Sequence, residues 1–201
     1  MFILGITGPT GAGKTTALEV LERMGGYIVD ADAVYHQLLR ENRALRAELE
    51  TRFGPLQDEQ GGIDRKKLGA VVFHDRKAMG DLNTITGRYI PDAIGQRIRA
   101  AGEQGYRMAA IDAIRLLEGD LAELCHATLA VLAPAEVRVK RIMAREGIPE
   151  EYAAARVNAQ QNDEFYIRGC GYVLYNDCSS AREFGEKARA VLEEILEKEN
   201  A

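Results

Sequence analysis

The apolar residues of this chain fall into two kinds of run. Five runs are short and nearly continuous: Phe2-Ile3-Leu4-Gly5-Ile6-Thr7, Tyr27-Ile28-Val29-Asp30, Met108-Ala109-Ala110-Ile111-Asp112, Thr128-Leu129-Ala130-Val131-Leu132 and Tyr172-Val173-Leu174-Tyr175-Asn176. Runs of this length with little polar alternation predict strands buried on both faces, the pattern of a parallel sheet. Between them the apolar positions recur at helical spacing: Ala17, Leu18, Val20, Leu21 and Met24 after the first strand, and Val34/Leu38, Leu45/Leu49/Phe53, Leu68/Val72, Leu82/Ile85 and Ile94/Ile98 after the second. A last amphipathic stretch carries Phe184, Val191, Leu192 and Ile195 and is expected to close the other face of the sheet. The alternation predicts an α/β fold, a five-stranded parallel sheet with helices on both faces and a right-handed crossover between its first two strands.

Local punctuation sets the ends of these elements. Gly25-Gly26 stops the first helix, the next is expected to begin around Ala33, and Phe53-Gly54-Pro55 and Gln60-Gly61-Gly62 interrupt the long helical stretch. Asp64 reads as the N-cap of a helix through Phe73 and Ser180 as the cap of the final helix, with fraying expected after Lys198. Pro91, Pro134 and Pro149 read as helix openers.

The first strand and first helix are joined by Gly8-Pro9-Thr10-Gly11-Ala12-Gly13-Lys14-Thr15, which satisfies every fixed position of G-x-x-x-x-G-K-[ST] in the strand-to-helix setting that motif requires. A polyphosphate needs donors on a backbone that can come close, and glycines permit both the turn and the approach. The following helix aims N–H groups and the positive end of its dipole at the same place. Gly8, Pro9, Thr10, Gly11, Ala12, Gly13, Lys14, Thr15 and Thr16 are therefore the expected nucleotide phosphate site, with Lys14, read as an exposed loop charge, on the β/γ oxygens and the Thr15 hydroxyl on Mg²⁺.

Three other features collect around this loop. Asp30-Ala31-Asp32 ends the second strand, where open α/β sheets bind ligands. One of the two aspartates is expected to cap the following helix and the other to orient Mg²⁺ or take a proton from a substrate hydroxyl. Asp112 ends the third strand as an acid of the Walker B kind, for which the phosphate loop favours a role in the Mg²⁺ shell over simple capping. Arg138, Arg141 and Arg145 lie at i, i+3 and i+7, with Lys140 beside them and Arg156 on the next helix. They are either a phosphate clamp or a solvated face paired with Glu146, Glu150 and Glu151.

Composition narrows the partners. At 201 residues, 46% hydrophobic and without Trp, the chain has room for one substantial α/β core. A formal charge of −5 argues against a protein that coats nucleic acid or anionic lipid, so an anionic ligand must meet a local cluster of cations. Cys125, Cys170 and Cys178 are odd in number and widely spaced, as expected of thiols in a reducing compartment. With no basic leader and no apolar stretch of membrane-spanning length, the expectation is a cytoplasmic protein, monomeric or weakly homo-oligomeric.

Among phosphate-loop proteins, a GTPase would carry N-K-x-D and a D-x-x-G after the third strand, and neither is present. A small-molecule kinase fits the length, the inserted helices and the Arg-bearing helical pair, which resembles a mobile lid. A nucleotide-gated binding protein that uses ATP as a switch is the rival from another class. The expected divisions are a core of approximately 1–33, 104–133 and 170–201, a helical insertion over 34–103 that walls the acceptor, and a lid over 134–169.

Over nearly its whole length the chain resembles the dephospho-coenzyme A kinases. The matching pieces are Gly5-Ile6-Thr7-Gly8 with the phosphate loop, Ile28-Val29-Asp30-Ala31-Asp32, Phe53-Gly54, Ile63-Asp64-Arg65 with Leu68 and Val72-Phe73, and Leu82-Asn83. Asp112 with Leu116-Leu117-Glu118, Arg141 with Arg145, Gln160, and Val173-Leu174-Tyr175-Asn176 complete them. The resemblance implies transfer of the ATP γ-phosphoryl group to the 3′-hydroxyl of dephospho-coenzyme A, the last step of coenzyme A synthesis; another small-molecule or nucleoside monophosphate kinase is the alternative. It further implies Asp32 as catalytic base, Lys14 and Arg141 as catalytic cations, Arg141 and Arg145 as lid arginines on ATP, and Asn176 near the adenine. The chain departs from the family pattern at Gly87-Arg88 for His-Pro, Ile114 for Pro, Arg115 for Leu, Arg138 for a lid Gln and Tyr166 for a late Lys. Most of these positions lie on the acceptor or lid side, and the two added guanidinium groups at Arg88 and Arg115 pair with more of the acceptor's pyrophosphate, answer a different anionic acceptor, or are surface substitutions.

Overall fold

The five apolar runs form five strands in a computed structural model that describes residues 1–199: β1 (Phe2–Thr7), β2 (Tyr27–Asp30), β3 (Met108–Asp112), β4 (Ala127–Leu132) and β5 (Tyr172–Tyr175). Their spatial order is β2-β3-β1-β4-β5. Because β1 lies between β3 and β4, the chain changes direction of winding at its carboxyl end, the place where such sheets leave a crevice for ligands. The phosphate loop begins there.

Parallel pairing sets Leu4 opposite Ala110, Ile6 opposite Leu129, and Val131 opposite Leu174. These residues share one face and pack with Ala17, Leu18, Val20 and Leu21 of α1 (Lys14–Arg23) and with Phe184, Ala188, Leu192 and Ile195 of α9 (Ala181–Glu199). The final helix thus lies beside the first on a single face, where closure of the other face was expected. Alternation explains it: the apolar stripe of α9 meets the odd-even set to which Leu4 and Ile6 belong. The opposite face carries Ala130 and Leu132 under Tyr166 of α8 (Asp163–Gly169), with Leu117 from the 3₁₀ turn Leu116–Glu118. Ser180 caps α9, its hydroxyl accepting from the Glu183 N–H at 3.2 Å. The fraying expected after Lys198 falls, Glu199 apart, outside the described residues.

The sheet unit comprises Met1–Val29 and the chain from Ala100 onward, and Asp30–Arg99 form a second compact unit. The second unit contains α2 (Ala31–Glu41), α3 (Arg43–Phe53), α4 (Arg65–Val72) and all but the last residues of α5 (Arg76–Glu103). Its own core joins Leu39, Leu45, Leu49, Leu56, Ile63, Leu68, Val72, Leu82 and Ile85. As expected, Asp64 caps α4, accepting from the Lys66 and Lys67 N–H groups. Between α3 and α4 the Gly-rich break becomes a small antiparallel bridge, Gln57 with Ile63, closed by Asp58, whose Oδ1 accepts from the N–H groups of Gln60 and Gly62.

Two boundaries differ from expectation. The helix α2 starts at Ala31, because Asp30 is its N-cap and accepts from the Ala33 N–H at 3.0 Å; Asp32 therefore lies in the first helical turn and not on a strand face. Pro91 does not open a helix but lies inside α5, which runs through it. A proline there forfeits a backbone hydrogen bond and crowds the preceding turn, at a cost of about 3 kcal/mol. Buried Leu82 and Ile85 on one side of it and Ile94, Ile98 and Ala101 on the other hold the helix together, each fully buried Leu or Ile contributing roughly 1.5–3 kcal/mol. Ile85 and Ile94 are about two and a half turns apart, so the buried stripe passes to the opposite side of the helix near Pro91.

Candidate active site

The loop after β1 has a backbone that only glycine can supply at its two ends. Gly8 has φ of 143°, and a Cβ there would lie 2.1 Å from the Val131 carbonyl oxygen. Gly13, at φ 110°, would put a Cβ 2.4 Å from Asn176 Nδ2. Gly13 is also the N-cap of α1 and offers no side-chain acceptor to the first helical turn, which leaves that turn to an anionic ligand.

The back of the loop is gripped by the arm formed by α6 (Ala135–Glu146) and α7 (Glu150–Asn158), whose own core is Ile142, Ala153 and Val157. Arg138 Nε donates to the Thr10 carbonyl at 3.0 Å. Arg141 Nη1 donates to the carbonyls of Gly11 and Ala12 at 3.1 and 3.2 Å, and its Nη2 donates to Asn176 Oδ1 at 3.2 Å. Asn176, buried at the end of β5, donates from Nδ2 to the Ala12 carbonyl at 2.8 Å and from its backbone N–H to Leu132 at 2.7 Å. Arg141 and Asn176 are thus brought together behind the phosphate loop. Arg145 points elsewhere: its exposed side chain pairs with Glu146 at 2.7 Å, and Arg156 binds the other Glu146 oxygen. The hydrogen bond from Arg145, with Arg156 beside it, holds the Glu146 carboxyl below the usual carboxylate range.

Lys14, expected as an exposed loop charge, has a side chain only 14% exposed and ion-pairs with Asp112, itself 22% exposed. The reason is topological: β3 adjoins β1, so the acid that ends β3 faces the first residue of α1. The Thr15 hydroxyl belongs to an exposed residue in the same turn. Among the described residues no cluster of three or more His, Cys, Asp or Glu could hold a metal. The available donors, one hydroxyl and one carboxylate, are hard oxygens, and they fit Mg²⁺, which keeps several waters and takes substrate phosphates as further ligands. Asp32, in the second unit, presents an exposed carboxylate on the first turn of α2.

The departures from the family pattern fall into two groups. Arg88 is 62% exposed and pairs with Glu48 at 2.7 Å, while Tyr89 donates its hydroxyl to the other Glu48 oxygen. Arg115 pairs with Glu118 at 2.8 Å, and Ile114 contributes its carbonyl to Thr7 Oγ1 at 3.1 Å. Both added guanidinium groups are thus engaged by carboxylates. Arg138 and Tyr166, by contrast, are buried, 4% and 2% exposed. Burial pulls the Arg138 guanidinium down from its usual range, opposed by Asp163 and by Tyr166, whose hydroxyl is itself pushed up by burial. Sequence periodicity puts Arg138 on a basic stripe with Arg141 and Arg145; what it does not disclose is that this member points inward. Gln160, which contacts Thr10, follows α7 in no local motif and is singled out by the family resemblance alone.

The sequence profile of the dephospho-CoA kinase family matches residues 2–182. A relative from Dehalococcoides mccartyi named dephospho-CoA kinase is 34% identical over 179 residues, 89% of this chain and 90% of its own length. Among solved structures, TT1252 from Thermus thermophilus is similar with a TM-score of 0.76 and 32% identity, over 96% of this chain and 97% of that one. The dephospho-CoA kinase from Campylobacter jejuni is similar with a TM-score of 0.61 and 25% identity, over 96% of both chains.

Proposed function

The chain belongs to the dephospho-CoA kinase family, and from that premise we propose how its own residues divide the work of moving a phosphoryl group from ATP to the 3′-hydroxyl of dephospho-coenzyme A. The observation that carries the reading is the complete phosphate loop with Lys14 beside Asp112 and a cationic arm anchored behind it. Gly8 to Thr16 hold the ATP phosphates, and Lys14 turns from Asp112 to the β/γ oxygens. The Thr15 hydroxyl and the Asp112 carboxylate would hold Mg²⁺, which when bound supplies charge neutralisation at the phosphates. Arg141 adds positive charge from behind the loop and Arg145 exchanges Glu146 for phosphate oxygens, while Asn176 braces the loop on the side of the adenine. Exposed ion pairs such as Arg145 with Glu146 are worth little, so the exchange costs little.

Asp32 accepts the proton of the acceptor hydroxyl as its oxygen bonds to the γ-phosphorus. The bond from that phosphorus to the β,γ-bridging oxygen breaks, and ADP leaves with the electron pair. The protein works in the cytoplasm as a monomer or weak homo-oligomer, needing neither nucleic acid nor a membrane; among the described residues no helix is long and apolar enough to cross one.

Two measurements test this reading. In an ATP-consumption assay with dephospho-coenzyme A, AMP, CMP, UMP and shikimate offered separately, turnover is expected with dephospho-coenzyme A, the product gaining the mass of one phosphoryl group. Turnover of a nucleotide or of shikimate alone would move the acceptor assignment elsewhere; ATP binding without any phosphorylated product would favour the nucleotide switch. The second measurement is amide hydrogen exchange over 134–161. Closure of the arm on ligand predicts slower exchange, by up to ~100-fold at a ligand concentration about 100 times its Kd. Equal exchange with and without ligand would reduce Arg145 and its neighbours to a solvated face.

A further inference from the structure

Thr10, at the tip of the phosphate loop, has all three of its polar groups taken by two residues of the arm. Its N–H donates to Gln160 Oε1 at 3.2 Å, its hydroxyl oxygen accepts from Gln160 Nε2 at 2.8 Å, and its carbonyl accepts from Arg138 Nε at 3.0 Å. Arg138 Nη2 closes the ring by donating to the same Gln160 Oε1. The helix itself is pressed against the next residue: a Cβ on Gly11 would meet the Arg138 backbone at 3.0–3.1 Å. No part of this ring extends beyond the loop and the arm.

Burying a guanidinium is expensive, and a well-packed apolar side chain in its place is often neutral or stabilising. Arg138 is nevertheless almost wholly buried, and its hydrogen bonds go to one loop carbonyl and to the glutamine that holds the same residue. The geometry of a trans peptide shows what this achieves. The carbonyl of one residue and the N–H of the next point in opposite directions. With the Thr10 carbonyl drawn back toward Arg138, the Gly11 N–H is turned forward; the carbonyl of Ala12, drawn back by Arg141 and Asn176, likewise turns the Gly13 N–H forward. The intervening Ala12 N–H is spent within the loop, on the Pro9 carbonyl at 3.2 Å.

We propose that Arg138 and Gln160 are positioning residues that lock the Thr10–Gly11 peptide so that the Gly11 N–H is aimed at the nucleotide phosphates before they arrive. This rests on the reading of Gly8 to Thr16 as the ATP phosphate site. Preset donors spare the ligand the cost of ordering a glycine-rich loop, so the arm contributes to affinity for phosphate without touching it.

The experiment is a set of ADP titrations by calorimetry, with dephospho-coenzyme A titrated as the acceptor-side control and thermal melting recorded for each variant. Gln160→Ala is expected to weaken ADP about tenfold and to leave dephospho-coenzyme A within about twofold. Arg138→Lys should weaken ADP to a similar degree, because one ammonium does not span the Thr10 carbonyl and Gln160 together as the fork does. Gln160→Glu should recover most of the affinity: its carboxylate accepts from Arg138 and from the Thr10 N–H, and the Thr10 hydroxyl turns to donate to it. Unchanged ADP affinity in both Gln160→Ala and Arg138→Lys would overturn the proposal, as would equal weakening of ADP and dephospho-coenzyme A, the mark of a merely structural role. Failure of Gln160→Glu to recover what Gln160→Ala loses would overturn it too. Lys14→Ala in the same titration separates the two layers: if it also binds ADP undiminished, the phosphate-site reading falls, and if it alone is weakened, only the lock falls.

Discussion

Lys14→Ala is expected to lower phosphoryl transfer by about 10³-fold or more, the scale on which removal of a preorganised charge at a phosphoryl or oxyanion centre registers. The structure changes what this variant does to stability. Lys14 is not a free loop charge but the partner of Asp112, both side chains being mostly buried. Truncation leaves the Asp112 carboxylate without that partner, at a cost of roughly 1.5–3 kcal/mol, or several degrees in Tm for a chain of this size. Adding Asp112→Asn to Lys14→Ala should restore most of the lost Tm, since the unpaired charge is gone, while transfer stays at the low level of Lys14→Ala. The double variant thus separates folding from chemistry. Normal turnover by a folded Lys14→Ala protein would remove the phosphate loop from the mechanism altogether.

What could be read from the sequence and what could not divide along a physical line. The strands were legible because burial on both faces leaves almost no polar residue in them, and the phosphate loop because Gly8 and Gly13 hold backbone that no other residue accepts. The Asp30 cap was legible as one of two choices, since an aspartate before a helix is a strong local signal. Side-chain partners set by distant strand order were not legible. The Lys14–Asp112 pair depends on β3 lying beside β1, and the Thr10–Gln160 pair joins residues 150 positions apart. Arg138 was misleading for the same reason: spacing along one helix cannot tell a residue that turns under a neighbouring loop from one that turns to water. Pro91 misled differently, because propensity argues for a helix start there and tertiary burial of Ile85 and Ile94 overrides it. The charge balance of −5 pointed to a local cationic cluster, and the loop-facing guanidinium groups of Arg138 and Arg141, which donate to loop carbonyls, are such a cluster.

Asp32→Asn is expected to lower kcat by about 10²–10⁴, the range general-base catalysis supplies, with ATP KM little changed. The chemistry requires a group that can hold a proton at the moment the acceptor oxygen bonds to phosphorus; asparagine keeps the size and loses that capacity. Because phosphoryl transfer depends mostly on positioning and charge neutralisation, the variant should retain measurable turnover. The placement of the two aspartates sharpens the control. Asp30 spends its carboxylate on the Ala33 N–H as the cap of α2, whereas Asp32, in the first turn of the helix and exposed, has no capping duty. Asp30→Ala should therefore cost about 1 kcal/mol of stability, the usual value of an N-cap, with little effect on kcat at temperatures where the protein stays folded. Asp32→Asn should do the reverse, leaving Tm unchanged and slowing the chemical step in single-turnover measurements. A loss confined to ATP KM would instead assign Asp32 to the Mg²⁺ shell, and equal effects of the two substitutions on kcat would mean that the α2 terminus acts through its backbone placement and not through a proton acceptor.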